Sequence, residues 1–240
     1  MKLAAIMPEE AFDLDESDYN FCFAEIALRN PRYAAYYRNA AKRGIVIMDT
    51  MVFEHQRPLS TPDWLDAIDI VRPTVTIAMD VMQNAEETKQ RYRLLRQLTS
   101  TPLMAVAQGA TFEALADCFE YFLERTFWIA LPVQVVERRQ ERFKYLDFLR
   151  AVGVPSTTNI HLLGASRDDL LWERSYSDLR FVRGVDTTKP VAAALNGIRL
   201  PSDIDEATTR PQAYFTTPRQ RCIDAQEKIT SNISYLRWIL

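Results

Sequence analysis

Short apolar runs alternate with amphipathic segments along the chain. Eight of these runs have the length of β-strands, and several, such as residues 45–48 and 128–131, are apolar at every position. Continuous apolar strands are typical of a parallel sheet that is buried on both faces. The predicted strands cover residues 2–7, 20–26, 45–49, 74–80, 103–108, 127–133, 159–163 and 181–186.

The segments between the strands have the spacing of amphipathic helices. Residues 112–123 place Leu115, Phe119 and Phe122 on one side of a helix, with glutamates on the other. Similar patterns predict helices over residues 88–98, 138–152 and 223–240. A strand followed by a helix therefore recurs about every twenty to thirty residues, which is the length of one strand–helix unit.

About eight such units predict a (β/α)8 TIM barrel of the α/β class, a fold that typically needs ~250 residues. We expect the barrel to span residues 1–200, and residues 201–240 to form a capping extension of the same domain. The alternative is an open doubly wound sheet. Such sheets commonly bind phosphate through a glycine-rich turn, whereas this chain has 6 glycines and neither a GxGxxG nor a P-loop motif. The barrel is therefore favoured.

The composition excludes several classes of protein. With 29 lysines and arginines against 32 aspartates and glutamates, the formal charge of −3 excludes a polycation that coats nucleic acid and leaves a local basic face open. The 3 cysteines (Cys22, Cys118 and Cys222) are far apart, which excludes a disulfide scaffold and a CxxC zinc cluster. Residues 1–10 turn acidic too early for a signal peptide, and no apolar run reaches membrane-spanning length. We therefore expect a soluble protein of the reducing cytoplasm.

Acidic or amide residues end four of the apolar runs. These residues are Asp49, Asp80, Gln108 and Asp186. In a barrel the carboxyl ends of the strands meet at one mouth, which is where active sites lie. Each aspartate taken alone is as well explained by capping of the helix that follows. The repetition of this position at three aspartates and a glutamine favours a functional site.

Converging carboxylates suit a reaction at an acetal-like carbon. One carboxylate attacks and forms a covalent glycosyl intermediate, while another acts first as acid and then as base. Metal-dependent hydrolysis is the competing hypothesis, but barrel metal sites generally use several histidines, and this sequence has only His55 and His161. We expect His161 to be a hydrogen-bonded core or rim residue and His55 to be an exposed loop residue. Neither a metal nor a cofactor is predicted.

Several strings in the chain then resemble one enzyme family. Residues 160–164 read IHLLG, residues 168–171 read DDLL, and residues 183–186 read RGVD, followed by Pro190. These strings resemble the end of the tRNA-guanine transglycosylase barrel, where a leucine-rich stretch precedes a GxDxFDxxxPTR segment that carries the nucleophilic aspartate. Upstream, residues 47–54 resemble the family's TDSGGFQ segment, residues 78–80 its FDE segment, residues 106–109 its xQG segment and residues 129–131 its GGL strand. The motifs occur in the family's order, each at a predicted strand end, over roughly residues 44–190.

The resemblance implies a role for each matching residue. Asp186 would attack C1′ of a guanosine-type nucleotide and hold the sugar covalently, and Asp49 would be the general acid and base. Asp80 and Gln108 would read the edge of the purine. The target nucleotide would have to leave its stack. The implied base pocket also contains Gly109, Phe53, Ala130, Leu131 and Leu163.

The sequence departs from the pattern of this family at several positions, and these differences favour the smaller branch of the family that acts on DNA. The family's CxCxxC zinc site is absent from the sequence, Met51 and Val52 replace its glycine pair, and residues 190–192 read PVA in place of PTR. Phage and bacterial DNA-guanine transglycosylases, which insert 7-deazaguanine bases such as preQ0, are the closest resemblance. The implied partners are DNA and a 7-deazaguanine base. Candidate contacts with DNA phosphates are Arg138, Arg139, Arg142, Lys144, Arg210, Arg219 and Arg221.

Other functions stay open at this point. They are base exchange in tRNA, a noncatalytic partner subunit of such an enzyme, and hydrolysis of a small nucleoside or sugar. The presence of both Asp49 and Asp186 argues against the noncatalytic subunit, which would need neither. The sequence also leaves open a homo-oligomer or an accessory subunit. The main hypothesis requires Asp49 and Asp186 to face each other across a purine-sized slot.

Overall fold

A computed structural model describes residues 1–55, 57–133, 140–165, 179–200 and 213–240. Eight parallel strands form a nearly closed barrel in the neighbour order β1-β8-β7-β6-β5-β4-β3-β2, which confirms the predicted (β/α)8 fold. The strands are β1 (Lys2–Ala5), β2 (Asn20–Phe23), β3 (Val46–Asp49), β4 (Val75–Ile77), β5 (Leu103–Val106), β6 (Trp128–Pro132), β7 (Asn159–Leu163) and β8 (Val182–Thr187). Each predicted strand is present, although most are shorter than the apolar run that predicts them.

Helices alternate with the strands along the chain. Those between β2 and β8 are α1 (Ala24–Arg29), α2 (Pro31–Ala40), α3 (Val52–His55), α4 (Thr61–Val71), α5 (Ala85–Leu95), α6 (Phe112–Leu123) and α7 (Gln140–Val152). After β8 come α8 (Lys189–Leu195), α9 (Arg219–Asp224) and α10 (Gln226–Ile239). The single helix predicted over residues 223–240 is therefore wrong in its first part, since α9 and α10 are separated at Ala225.

Polar N-caps set where several of these helices begin. The side chains of Asn30, Ser60, Asn84 and Thr111 each accept a hydrogen bond from the backbone N–H three residues further on. Such a cap satisfies one of the free N–H groups in the first turn of a helix. The Asn84 cap starts α5 at Ala85, earlier than the predicted residue 88, because the acidic first turn carries no apolar signal.

The barrel is bridged between β1 and β2 by the residues that precede β2. The N–H of Asp18 donates to the carbonyl of Leu3 at 2.9 Å, and the N–H of Leu3 donates to the Asp18 carboxylate at 2.9 Å. The N–H of Ala5 donates to the hydroxyl of Ser17 at 2.6 Å. Side chains therefore take over part of the role that a backbone ladder has elsewhere in the barrel.

The C-terminal helix α10 packs against α8 and β1. Asn232 is fully buried in this contact. Its amide donates to the carbonyls of Pro190 and Ile198, both at 3.0 Å, and its side-chain oxygen accepts from the N–H of Leu200 at 2.7 Å. One side chain therefore satisfies three backbone groups and joins the end of the chain to the barrel.

Across the described ranges, no helix combines the length and the apolar character needed to cross a bilayer.

Replacing Asn232 by alanine tests this contact. Asn232→Ala leaves the Leu200 N–H and two carbonyls without their partner, and an unsatisfied buried group costs about 1–3 kcal/mol. We expect the free energy of unfolding, measured by urea titration, to fall by about 3 kcal/mol. Ser234→Ala, on the exposed side of the same helix, should change it by less than about 0.5 kcal/mol. Equal effects of the two substitutions would contradict this account.

Candidate active site at the barrel mouth

Asp186 lies in β8, and its side chain is almost completely buried. The Nε2 atom of His161 is 2.8 Å from Oδ1 of the carboxylate. The backbone N–H of Gly164 lies 3.2 Å from each of the two carboxylate oxygens. The donors come from β7 and from the loop that follows it, so the neighbouring strand sets the orientation of Asp186.

His161 is confirmed as a hydrogen-bonded core residue. It is 1% exposed, and its Nδ1 atom lies 3.0 Å from the hydroxyl of Tyr19. The ring of Phe21 stacks on the imidazole with an interplanar angle of 17°. Both ring nitrogens are therefore engaged by side chains of the barrel.

Arg142 is buried against the ends of β6 and β7 rather than exposed on a basic face. It is 1% exposed, and its Nη1 atom donates to the carbonyls of Leu163 and Gly164, both at 2.9 Å. The expectation that Arg142 contacts DNA phosphates is therefore wrong, because the guanidinium lies inside the protein. The burial of Arg142 could have been predicted from the sequence, because Arg142 lies on the same face of the helix as Leu146 and Leu149.

Asp80 and Gln108 form a second buried pair, at the ends of β4 and β5. Nε2 of Gln108 donates to Oδ2 of Asp80 at 2.6 Å, and the backbone N–H of Gln83 donates to Oε1 of Gln108 at 3.0 Å. Burial raises the pKa of the Asp80 carboxyl to about 6, against the opposing effect of the Gln108 hydrogen bond. The structure thus brings together the two residues that the sequence places at neighbouring strand ends. It also makes one of them a carboxyl group that titrates near neutral pH.

Asp49 is the last residue of β3 and lies beside Phe23 of β2 in the sheet register. Its Oδ1 atom accepts from the N–H of Thr50 at 2.7 Å. Burial, and after it the Asp49 charge, raises the pKa of the Cys22 thiol well above its usual range. As the last residue of β3, Asp49 lies at the barrel mouth, on the strand next to β4.

Two loops at this end of the barrel contain strained backbone. Met51 follows β3 with a φ of 57°, and Gln83 follows β4 with a φ of 59°. Residues with a Cβ seldom adopt this left-handed conformation, and its cost is tolerated most often at functional sites. The strain lies next to Asp49 in one loop and next to the Asp80–Gln108 pair in the other.

The strand order decides how these groups are placed around the mouth. β8 lies four positions from β4 in the order of the barrel, so Asp186 and the Asp80–Gln108 pair are on opposite sides. Asp49, on β3, lies on the same side of the mouth as the Asp80–Gln108 pair. The described contacts join Asp186 to His161 and Gly164, and they join Asp80 to Gln108. The prediction that Asp49 and Asp186 share one substrate slot is compatible with this placement and stays a prediction.

The other predicted pocket residues lie in several environments. Ala130 and Leu131 are fully buried in β6, and Leu163 is half-buried at the end of β7. Gly109 has a packing role, because a Cβ there would lie 2.3 Å from the backbone nitrogen of Leu115 in α6. The side chain of Phe53 lies outside the described part of the chain.

The predicted phosphate-binding residues that the structure describes lie in different environments. Arg219 pairs with the Asp13 carboxylate and donates to the carbonyl of Glu10, and Arg221 donates to the carbonyl of Leu195 at 3.0 Å. Lys144 is exposed on α7. Arg138, Arg139 and Arg210, like the DDLL string, lie outside the described residues.

The rim of the mouth carries a side-chain contact that the sequence did not predict. His55 lies in α3, not in a loop, and its Nε2 atom is 2.7 Å from Oε2 of Glu25 in α1. Because the two residues are distant in sequence, no local pattern predicts this contact. Within the described ranges, no three side chains of His, Cys, Asp or Glu are grouped so that they could hold a metal ion.

The raised pKa of Asp80 predicts a pH-dependent effect on stability. The folded protein holds the neutral carboxyl up to a pKa of about 6, against 3.8 for an ordinary aspartate, so this contribution to stability is lost as the pH rises from about 4 to above 6. The loss amounts to about 3 kcal/mol at most. Asp80→Asn cannot ionise, so its stability relative to the parent should increase between pH 4 and pH 7 in denaturant titrations.

Asp66→Asn is the matched control for that substitution, because Asp66 is exposed on α4. Its effect on the free energy of unfolding should not follow the pH dependence of Asp80→Asn. A constant difference between Asp80→Asn and the parent protein from pH 4 to pH 7 would show that the carboxyl of Asp80 titrates normally.

Comparison with known proteins does not assign the site to a family. No model of a known protein family matches the chain, and no curated protein matches it.

Proposed function

We propose that this chain is a DNA-guanine transglycosylase, which exchanges guanine in DNA for a 7-deazaguanine base such as preQ0 through a covalent glycosyl–aspartate intermediate. The observation that carries the proposal is the placement of two carboxyl groups in different environments. Asp186 is held at both oxygens on one side of the mouth, while Asp80 is paired with an amide on the other. Such a division suits a nucleophile that faces a recognition group.

In the first step Asp186 displaces the departing base. A lone pair of one carboxylate oxygen forms a bond to C1′ of the nucleotide, and the C1′–N9 bond breaks with its electron pair passing to N9. Asp49, in its protonated form, gives its proton to the departing guanine. The products of this step are a glycosyl ester on Asp186, neutral guanine and ionised Asp49.

In the second step the incoming base takes the place of guanine. The Asp49 carboxylate removes the proton from N9 of the 7-deazaguanine base as that nitrogen attacks C1′. The C1′–O bond breaks and its electron pair returns to Asp186. Two displacements at C1′ retain the configuration of the sugar, and both aspartates return to their initial states.

The Asp80–Gln108 pair supplies base recognition. Guanine presents two donors on one edge, N1–H and the exocyclic amine, and an ionised carboxylate accepts from both. The Gln108 side chain is anchored by the Gln83 N–H on one side and by Asp80 on the other, so the pair is preorganised before a base arrives.

The loop after β3 also supports the proposal. In the transglycosylase pattern a glycine follows the Asp-Ser pair, and here Met51 stands at that position with a φ of 57°. Glycine adopts a left-handed backbone conformation most readily, and Met51 adopts that conformation although it replaces the glycine. The absence of the PTR arginine from the sequence favours DNA over tRNA as the polymer.

Incorporation of labelled base tests the proposal. Purified protein is incubated with radiolabelled guanine or preQ0 and with either double-stranded DNA or tRNA. We expect label to enter DNA, and we expect Asp186→Asn, which keeps the shape of the side chain, to abolish incorporation. Label in tRNA alone would overturn the choice of polymer. No incorporation into either polymer by the folded wild-type protein would overturn base exchange and favour a nucleoside hydrolase or a partner subunit.

Base choice tests the role of Asp80. Hypoxanthine lacks the exocyclic amine, so we expect Asp80→Asn to reduce the preference for guanine over hypoxanthine in kcat/KM by about 10-fold or more, since a hydrogen bond to a charged group contributes about 1.5–3 kcal/mol. In the parent protein the KM for guanine should rise as the pH falls below the pKa of Asp80, about 6, because the neutral carboxyl accepts less well. An unchanged base preference in Asp80→Asn, with Asp66→Asn as control, would contradict the recognition role.

A further inference from the structure

We propose that Tyr19 and His161 are positioning residues that determine which oxygen of Asp186 attacks the sugar, an inference that rests on the proposed function. The three side chains form one chain of hydrogen bonds through the barrel interior. The Tyr19 hydroxyl is 3.0 Å from Nδ1 of His161, and Nε2 of His161 is 2.8 Å from Oδ1 of Asp186.

The direction of these hydrogen bonds follows from the chemistry of the groups. An ionised carboxylate only accepts, so Nε2 of His161 must carry the proton that it shares with Asp186. In a neutral imidazole the other nitrogen, Nδ1, is then an acceptor, and the Tyr19 hydroxyl must donate to it. Tyr19 therefore selects the tautomer of His161 that can hold Asp186.

The contacts make the two oxygens of Asp186 unequal. Oδ1 accepts from both His161 and Gly164, whereas Oδ2 accepts from Gly164 alone among the described residues. Oδ2 thus keeps more of its lone-pair density available. When an Oδ2 lone pair forms the bond to C1′, Oδ1 becomes the carbonyl oxygen of the ester and can retain the hydrogen bond from His161 throughout.

The surroundings keep this chain rigid. Phe21 stacks on the imidazole, and Tyr19 meets its edge at an interplanar angle of 81°. Gly184 lies two residues before Asp186 on β8 and so faces the same side of the strand. A Cβ at Gly184 would lie 2.6 Å from the Tyr19 hydroxyl, so the missing side chain makes the space that this hydroxyl occupies.

Arg142 fixes the other donor to Asp186. Its guanidinium holds the carbonyls of Leu163 and Gly164, which belong to the segment whose N–H bonds the carboxylate. A buried charge with several carbonyl partners restrains that segment strongly, because any movement leaves the charge unsatisfied. Asp186 is therefore positioned from two independent directions.

Two substitutions of His161 separate positioning from packing. In His161→Gln the side-chain amide nitrogen can reach the position of Nε2 and still donate to Asp186, whereas in His161→Asn it reaches only the position of Nδ1. We expect kcat for base exchange to fall about 10- to 100-fold in His161→Asn, with KM changed less than about twofold, and to recover to within about 5-fold of wild type in His161→Gln. Tyr19→Phe should lower kcat about 5- to 10-fold.

A second readout does not depend on activity. The sequence has 2 histidines, so nitrogen NMR of the imidazoles can assign His161 by substitution of His55. We expect the neutral tautomer with the proton on Nε2 in the wild-type protein and a loss of that selection in Tyr19→Phe. Thermal unfolding of each variant reports whether it folds.

The outcomes distinguish the two proposals. Absence of exchange by folded wild-type protein would overturn the proposed function, and the catalytic role of the positioning residues with it. Exchange by wild type with the same kcat in His161→Gln and His161→Asn would overturn the positioning role alone. The Nδ1-protonated tautomer in wild-type protein would likewise contradict the direction of the hydrogen bonds.

Discussion

The carboxylate of Asp186 is the group on which the rest of the site depends. It is buried in β8, where an ionised oxygen is stable only if donors reach it, and the donors come from His161 and Gly164. Each donor has its own support. His161 is held by Tyr19 and Phe21, and the segment of Gly164 is held by Arg142. The contacts of these residues thus converge on one buried carboxyl group.

The carboxyl group on the opposite side of the mouth, Asp80, has a different environment. Among the described residues, Gln108 is the side chain that donates a hydrogen bond to Asp80, and burial raises the pKa of Asp80 to about 6. The loops beside Asp49 and Gln108 carry strained backbone at Met51 and Gln83. One side of the mouth is therefore built to hold a charge in a fixed orientation, and the other combines a titrating carboxyl with strained loops. This asymmetry supports the proposed division between a nucleophile and a recognition group.

The fold was predictable because periodicity reports burial directly. Short apolar runs, several of them apolar at every position, located all eight strands, and the stripe of Leu115, Phe119 and Phe122 located α6 with its bounds. The strand-end rule also placed Asp80, Gln108 and Asp186 at the mouth of the barrel, where they lie in the structure. What it could not find are contacts between residues distant in sequence, such as Tyr19 with His161. The prediction that Arg142 is exposed was wrong because it rested on the charge of the side chain. The position of Arg142 in the helix is on the buried face. A buried arginine needs carbonyl partners that only the folded chain supplies.

The covalent bond between the sugar and Asp186 can be located directly by mass spectrometry. Wild-type protein is quenched during exchange, digested with trypsin and analysed by mass spectrometry. Trypsin is not expected to cut before Pro190, so the expected peptide covers residues 184–199, in which Asp186 is the only acidic residue. We expect the glycosyl mass on this peptide. An adduct on a peptide that contains Asp49 or Asp80 instead would contradict it.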